Sequence, residues 1–155
     1  MAHTTAQVLL EEFWNYRLPI DPAYIAQQLG LAIKYSRDLG LKSSYLHIEN
    51  KEICVNASEC LELQRFSIAH ELGHYCLGHG SSFRDRNDSQ WIQQYDPQKE
   101  LLADQFAADL LMPSLAMKAV IDIRGEKDPV KLRKMFCVSS SAMFVRLKEL
   151  GYAHQ

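Results

Sequence analysis

The 155-residue chain is predicted to adopt an α+β fold, a small antiparallel sheet packed on helices. Three observations lead there. Apolar residues recur at helical spacing before residue 30 and again after residue 97. Between residues 31 and 57 the period falls to two, the mark of half-buried strands. Residues 64–79 then return to a helical period around the run His70-Glu71-Leu72-Gly73-His74.

Composition bounds the class. A chain of this length is most simply one domain, residues 1–155, with enough core to fold without staples. Apolar residues make up 47% and charged residues 23%, as in soluble globular proteins. A net charge of −2 gives no electrostatic footprint for nucleic acid or membrane. Cys54, Cys60, Cys76 and Cys137 form no C-x-x-C pair, and Cys54 and Cys76 lie within apolar patterns. Buried thiols of this kind imply a reducing cytoplasm. Residues 1–5 lack the basic and apolar parts of a signal peptide, and no run reaches the roughly 18 apolar residues of a membrane span. The expectation is a soluble cytoplasmic protein.

Thr4 or Thr5 can cap a first helix running to about Tyr16, with Val8, Leu9, Phe13 and Trp14 at helical spacing. Asp21-Pro22 reads as an N-cap with proline at the first helical position, and Gly30 as the end of that second helix. Residues 32–35 read as a strand; residues 44–48 and 52–56 read as an antiparallel pair joined at 49–51. The outer strand either covers the core or pairs with an extended peptide. The next helix starts at Ser58 or Glu59 and ends at Gly78 or Gly80. Gly73 within it costs about 1 kcal/mol relative to alanine, which suits a place where something approaches closely. Residues 80–98, with Trp91 and Tyr95, read as a long polar loop. Asp96-Pro97 caps a helix to Met112-Pro113, whose core face is Leu102, Ala103, Phe106, Ala107, Leu110 and Leu111.

The chemistry lies in the helix of residues 60–79. His70 and His74, four apart, share one helix face and can aim two imidazoles at one point, as a tetrahedral zinc site needs. Glu71 is turned about a quarter turn away, where it flanks the metal as the general base on water. Two solvated surface histidines would be the plainer reading, but the apolar flanks would bury both rings. A buried imidazole wants a partner. Two histidines need a third protein ligand, and Glu100, early in the next long helix, is placed to supply it. Asp104, four residues on, can accept the other N–H of a zinc histidine. A solvated acidic face is the plainer reading of this pair. His79 is the rival ligand, but on a continued helix it falls about half a turn from His70. The metzincin pattern also fails, since its glycine and last histidine would fall at Leu77 and Gly80.

Phe66-x-x-Ala69-His70-Glu71-Leu72-Gly73-His74 followed by Glu100-x-x-Ala103-Asp104-x-Phe106-Ala107-Ala108-x-Leu110-Leu111-Met112-Pro113 resembles the ImmA/IrrE family of metallopeptidases. The motif-bearing part spans about residues 44–113. The family often has asparagine where Asp104 stands, and either side chain can accept the hydrogen bond. The resemblance implies zinc (Zn2+) held by His70, His74 and Glu100 in a gluzincin-like endopeptidase. It also implies a helix-turn-helix repressor as protein substrate, in phages, mobile elements or stress responses.

The tail carries amphipathic segments at 114–122, 129–136 and 140–150. Cys137-Val138-Ser139-Ser140 resembles the turn of a helix-turn-helix, and Lys131, Arg133, Lys134, Arg146 and Lys148 add local positive charge. DNA contact is one reading of it. Closing the core, or docking a substrate, is the other, and the overall charge favours it, so no specific nucleic-acid binding is expected. An oxyanion-stabilising side chain is required; Tyr45, His47 and Tyr95 are its candidates. The rival function is a non-proteolytic regulator, binding repressor or DNA, that uses the metal for structure.

Overall fold

A three-stranded sheet and seven α-helices make up residues 4–81 and 96–152, the part of the chain that the computed structural model describes. The α+β class expected from the sequence is the class observed. Helix α1 (Ala6–Phe13) is capped by the Thr5 hydroxyl, which accepts the Val8 N–H at 3.2 Å. It stops short of Tyr16 because Trp14 is already extended and Tyr16 takes a φ of 63°. Helix α2 (Pro22–Gln28) begins as predicted, with the Asp21 carboxylate accepting the Tyr24 N–H, and Gly30 ends it at a φ of 86°.

Strands β1 (Ala32–Ser36), β2 (Ser44–His47) and β3 (Glu52–Asn56) lie in the order β1-β3-β2. The predicted β2–β3 hairpin is present and antiparallel, with Leu46 opposite Ile53. The sheet is not antiparallel throughout, however, because β1 pairs with β3 in parallel, Ile33 opposite Ile53. Ile53, Cys54 and Val55 are buried in succession. A consecutive apolar run suits a strand covered on both faces. It takes the centre, and β1 reaches it from the side that the hairpin leaves open.

Helix α3 (Leu61–Cys76) starts later than expected, because the Asn56 carboxamide holds the Ser58 N–H in a turn. Helix α4 (Pro97–Leu111) starts at its predicted cap, Asp96, which accepts the Gln98 N–H at 3.0 Å. Its buried stripe is Ala103, Phe106, Ala107, Leu110 and Leu111; Leu102 falls at the margin of that stripe and is exposed. The predicted loop with Trp91 and Tyr95 falls largely on residues 82–95, outside the described part. Helices α5 (Ser114–Lys118), continued by a π-helical turn to Ile123, α6 (Pro129–Phe136) and α7 (Ser140–Glu149) complete the chain. From these, Leu132, Phe136, Met143 and Leu147 enter the same hydrophobic cluster as Leu72 and Leu110.

The close approach that Gly73 signals is that of α4. A Cβ built on Gly73 would lie 3.0 Å from the Phe106 Cβ and 3.1 Å from its ring carbons. In an open helix, glycine to alanine gains about 1 kcal/mol. Here overpacking against a buried ring costs about 1–3 kcal/mol, so the sign should reverse. Gly73→Ala should lower the urea midpoint of protein held in excess chelator. In a Phe106→Leu background the same substitution should be neutral or stabilising. A raised midpoint for Gly73→Ala alone would show that this contact is not tight.

Candidate metal centre

Two helices distant in sequence supply the site. His70 and His74 project from one face of α3, and Glu100 and Asp104 from one face of α4. Small buried residues, Ala69 and Gly73 on α3 with Ala103 and Ala107 on α4, let the helices come close. As a result His70 Nε2 lies 2.8 Å from Glu100 Oε2. His74 Nε2 lies 3.1 Å from His70 Nε2 and 3.2 Å from Glu100 Oε1. Three ligand atoms thus face one point, and among the described residues His70, His74 and Glu100 form the group able to hold a metal ion. A tetrahedron with zinc–nitrogen bonds of ordinary length has edges of about 3.3 Å. The observed separations suit such an ion, and so does a donor set of two imidazoles and one carboxylate.

The electrostatics favour a cation there. Glu100 is held well below the usual carboxylate range by its hydrogen bonds to His70 and His74. Burial pulls His70 down, but hydrogen bonds to Asp104 and Glu100 outweigh it and push the imidazole up to about 10. A metal in that place satisfies the same carboxylates and displaces the proton.

Asp104 Oδ1 lies 2.8 Å from His70 Nδ1, the nitrogen turned away from the ligand group. A carboxylate there orients the ring and presents Nε2 as the donor. Glu71 is 3% exposed and stands outside the group of three. Its Oε2 accepts the Ser44 hydroxyl at 2.7 Å. Ser44 is the first residue of β2, and the loop before it is held by buried Asn56, whose amide donates to Lys42 O and Gly40 O. Sequence reasoning missed Ser44, and 27 residues of separation offer no local signal for it. Strand alternation puts Tyr45 and His47 on the opposite face of β2 from Ser44. The Tyr45 hydroxyl is engaged by Cys54, which together with burial pushes it up to about 12. Tyr95, the third candidate, lies outside the described residues.

His79 does not lie on the far face that a continued helix would give it. The helix ends at Cys76, so His79 is not carried to the far face; the chain turns and brings it back beside His74, with the two Nδ1 atoms 3.0 Å apart. It does not join the group of three ligands.

Comparison with known proteins agrees with this geometry. The family described as IrrE N-terminal-like domain matches residues 26–148. The radiation response metalloprotease IrrE of Deinococcus radiodurans is 28% identical over 123 residues, which cover 77% of this chain and 37% of that protein. A Mycobacterium tuberculosis transcriptional regulator superposes with a TM-score of 0.67 at 17% identity, over 92% of this chain and 44% of that one. At that identity the likeness is one of fold. The chain spans less than half the length of either protein. With most of its length matched, and the H-E-x-x-H and Glu100 motifs brought together, this chain belongs to the ImmA/IrrE family of metallopeptidases, through its IrrE N-terminal-like domain.

Proposed function

We propose that the chain is a zinc-dependent endopeptidase whose substrate is a helix-turn-helix repressor or a similar regulatory protein. The observation that carries this reading is the convergence of His70, His74 and Glu100 beside buried Glu71. A bound zinc ion supplies Lewis acidity, polarising a peptide carbonyl and acidifying a water. The protein does the rest. Glu71 takes the proton from the attacking water and returns it to the leaving amine. Ser44 holds that carboxylate by its Oε2, and Asp104 keeps His70 turned with Nε2 toward the ion. The regulatory substrate class is supported by the family. All four cysteines are free thiols, in keeping with a cytoplasmic site of action. Among the described residues no helix is long and apolar enough to cross a membrane.

The rival, a regulator with a structural zinc, draws on the fold shared with a transcriptional regulator. Against DNA binding by the tail, Arg146 is 4% exposed, with its guanidinium on Met112 O and Asp109. Lys131 is the exposed partner of Glu126. At about physiological ionic strength, a mobility shift with operator DNA should show no sequence-specific complex. A salt-dependent, sequence-specific shift would promote the regulator.

Protein purified without added metal should carry one zinc per chain. Glu71→Gln should keep that zinc and the fold, and should slow cleavage of a helix-turn-helix repressor substrate by about 10² to 10⁴, the usual contribution of a general base. Cleavage at the parental rate would remove Glu71 from the mechanism.

The two carboxylates of α4 should separate in the same way. Glu100→Ala should lose zinc and cleavage together. Asp104→Ala should cost about 10- to 100-fold in metal affinity or activity, because it removes only the partner of a ligand. Asp104→Asn should be milder, since an amide oxygen still accepts the imidazole N–H. Chelator competition orders the three variants, and zinc retained by Glu100→Ala would refute the ligand set.

A further inference from the structure

His74 is 4% exposed, and its Nε2 faces the other two ligands. Its Nδ1 points the other way, into contact with Nδ1 of His79 at 3.0 Å. The end of α3 creates this contact. The His79 N–H donates to the carbonyl of His74, five residues back, at 3.0 Å. The Gly78 N–H donates to that of Tyr75, three residues back, at 3.2 Å. Gly78 between them has a φ of 71°. This pair of bonds around a left-handed residue is the Schellman termination, and it brings the residue after the glycine against the residue five before it. An apolar pair commonly fills that contact. Here two imidazoles fill it, rings 5.2 Å apart between centroids and inclined at 63°.

We infer that His79 is a positioning residue for the metal centre: its Nδ1 accepts the Nδ1–H of His74 and locks His74 in the tautomer that offers Nε2 to the ion. A neutral imidazole bound to a metal through Nε2 must carry its proton on Nδ1. That N–H is buried and costs free energy unless an acceptor meets it. His79 meets it in its own Nε2–H tautomer. The two metal histidines are therefore held unequally. His70 leans on a carboxylate, Asp104, and His74 on a neutral ring.

This inference rests on the zinc reading of the site, and zinc affinity measured by chelator competition separates the two. His79→Leu should bind zinc about 10- to 100-fold more weakly than the parent. His79→Asn, whose amide oxygen can take the place of Nδ1, should recover most of that loss. In ¹⁵N-labelled parent protein loaded with zinc, His74 should be the Nδ1–H tautomer, with a through-hydrogen-bond coupling to Nδ1 of His79. The coupling needs no variant, so it stands even where a substitution disturbs folding. Unchanged affinity in His79→Leu, an equal loss in His79→Asn, or coordination of zinc through His74 Nδ1 would each overturn the inference while leaving the zinc reading intact. A parent chain that binds no zinc would take both down.

Discussion

The contact between Gly73 and Phe106 is the constraint on which the rest of the molecule depends. His70 and Glu100 lie 30 residues apart in sequence on two helices, and neither helix can assemble the site alone. Their carboxylate and imidazole atoms meet only if the helix backbones approach more closely than ordinary side chains permit. Gly73 accepts a loss of helix propensity of about 1 kcal/mol so that Phe106 can lie against its backbone. Ala69, Ala103 and Ala107, each 0% exposed, keep the neighbouring turns equally thin. The motif glycine is thus a spacer between two halves of a site, and its chemistry is carried out by its neighbours.

Around this contact three polar groups of the site are each steadied by a different element. Asp104 of α4 holds His70, the turn after α3 holds His74 through His79, and β2 holds Glu71 through Ser44. The reason is energetic. Buried polar atoms without partners cost about 1–3 kcal/mol each, so a site sunk into the core must bring its acceptors and donors with it. The sheet is small, and its hairpin delivers the Ser44 hydroxyl to the Glu71 carboxylate. Asn56, at the end of the central strand, ties the loop before Ser44 and so fixes where that hydroxyl stands.

What could be read from the sequence was whatever is encoded locally. The caps Asp21-Pro22 and Asp96-Pro97, the β2–β3 hairpin and the i, i+4 pairing of His70 with His74 and Glu100 with Asp104 all follow from spacing within a few residues. What could not be read depends on contacts between distant segments. The parallel pairing of β1 needs knowledge of which strand takes the centre. Ser44 reaches Glu71 from a separate strand. Leu102 matched the helical period yet lies at its margin, because the stripe is centred by what α3 covers. His79 failed for another reason: extending a helix past its last turn carries a residue to the wrong side. Gly78 was visible as an end signal, but its consequence appears only when the termination is built with its hydrogen bonds, which fold the next residue back on His74.

Two arginines, Arg146 of the tail and Arg65 of the body, are spent inside the fold. Arg146 of α7 donates its Nε–H to Met112 O, at the C-terminal end of α4, and pairs with Asp109. Arg65 of α3 donates to the carbonyls of Phe136 and Cys137, at the C-terminal end of α6, and to Ile20 O. Each arginine meets the unpaired carbonyls and partial negative charge that a helix end presents. One stitch runs from tail to body and the other from body to tail. Cations spent in this way are sealed against backbone oxygen and are not offered to phosphate. From the helix-turn-helix-like stretch of residues 129–150, Leu132, Phe136, Val138 and Met143 enter the hydrophobic core shared with α3 and α4. A turn that elsewhere presents a recognition helix is held at Cys137, in a left-handed conformation at φ 53°, by the same arginine that rises from the metal helix.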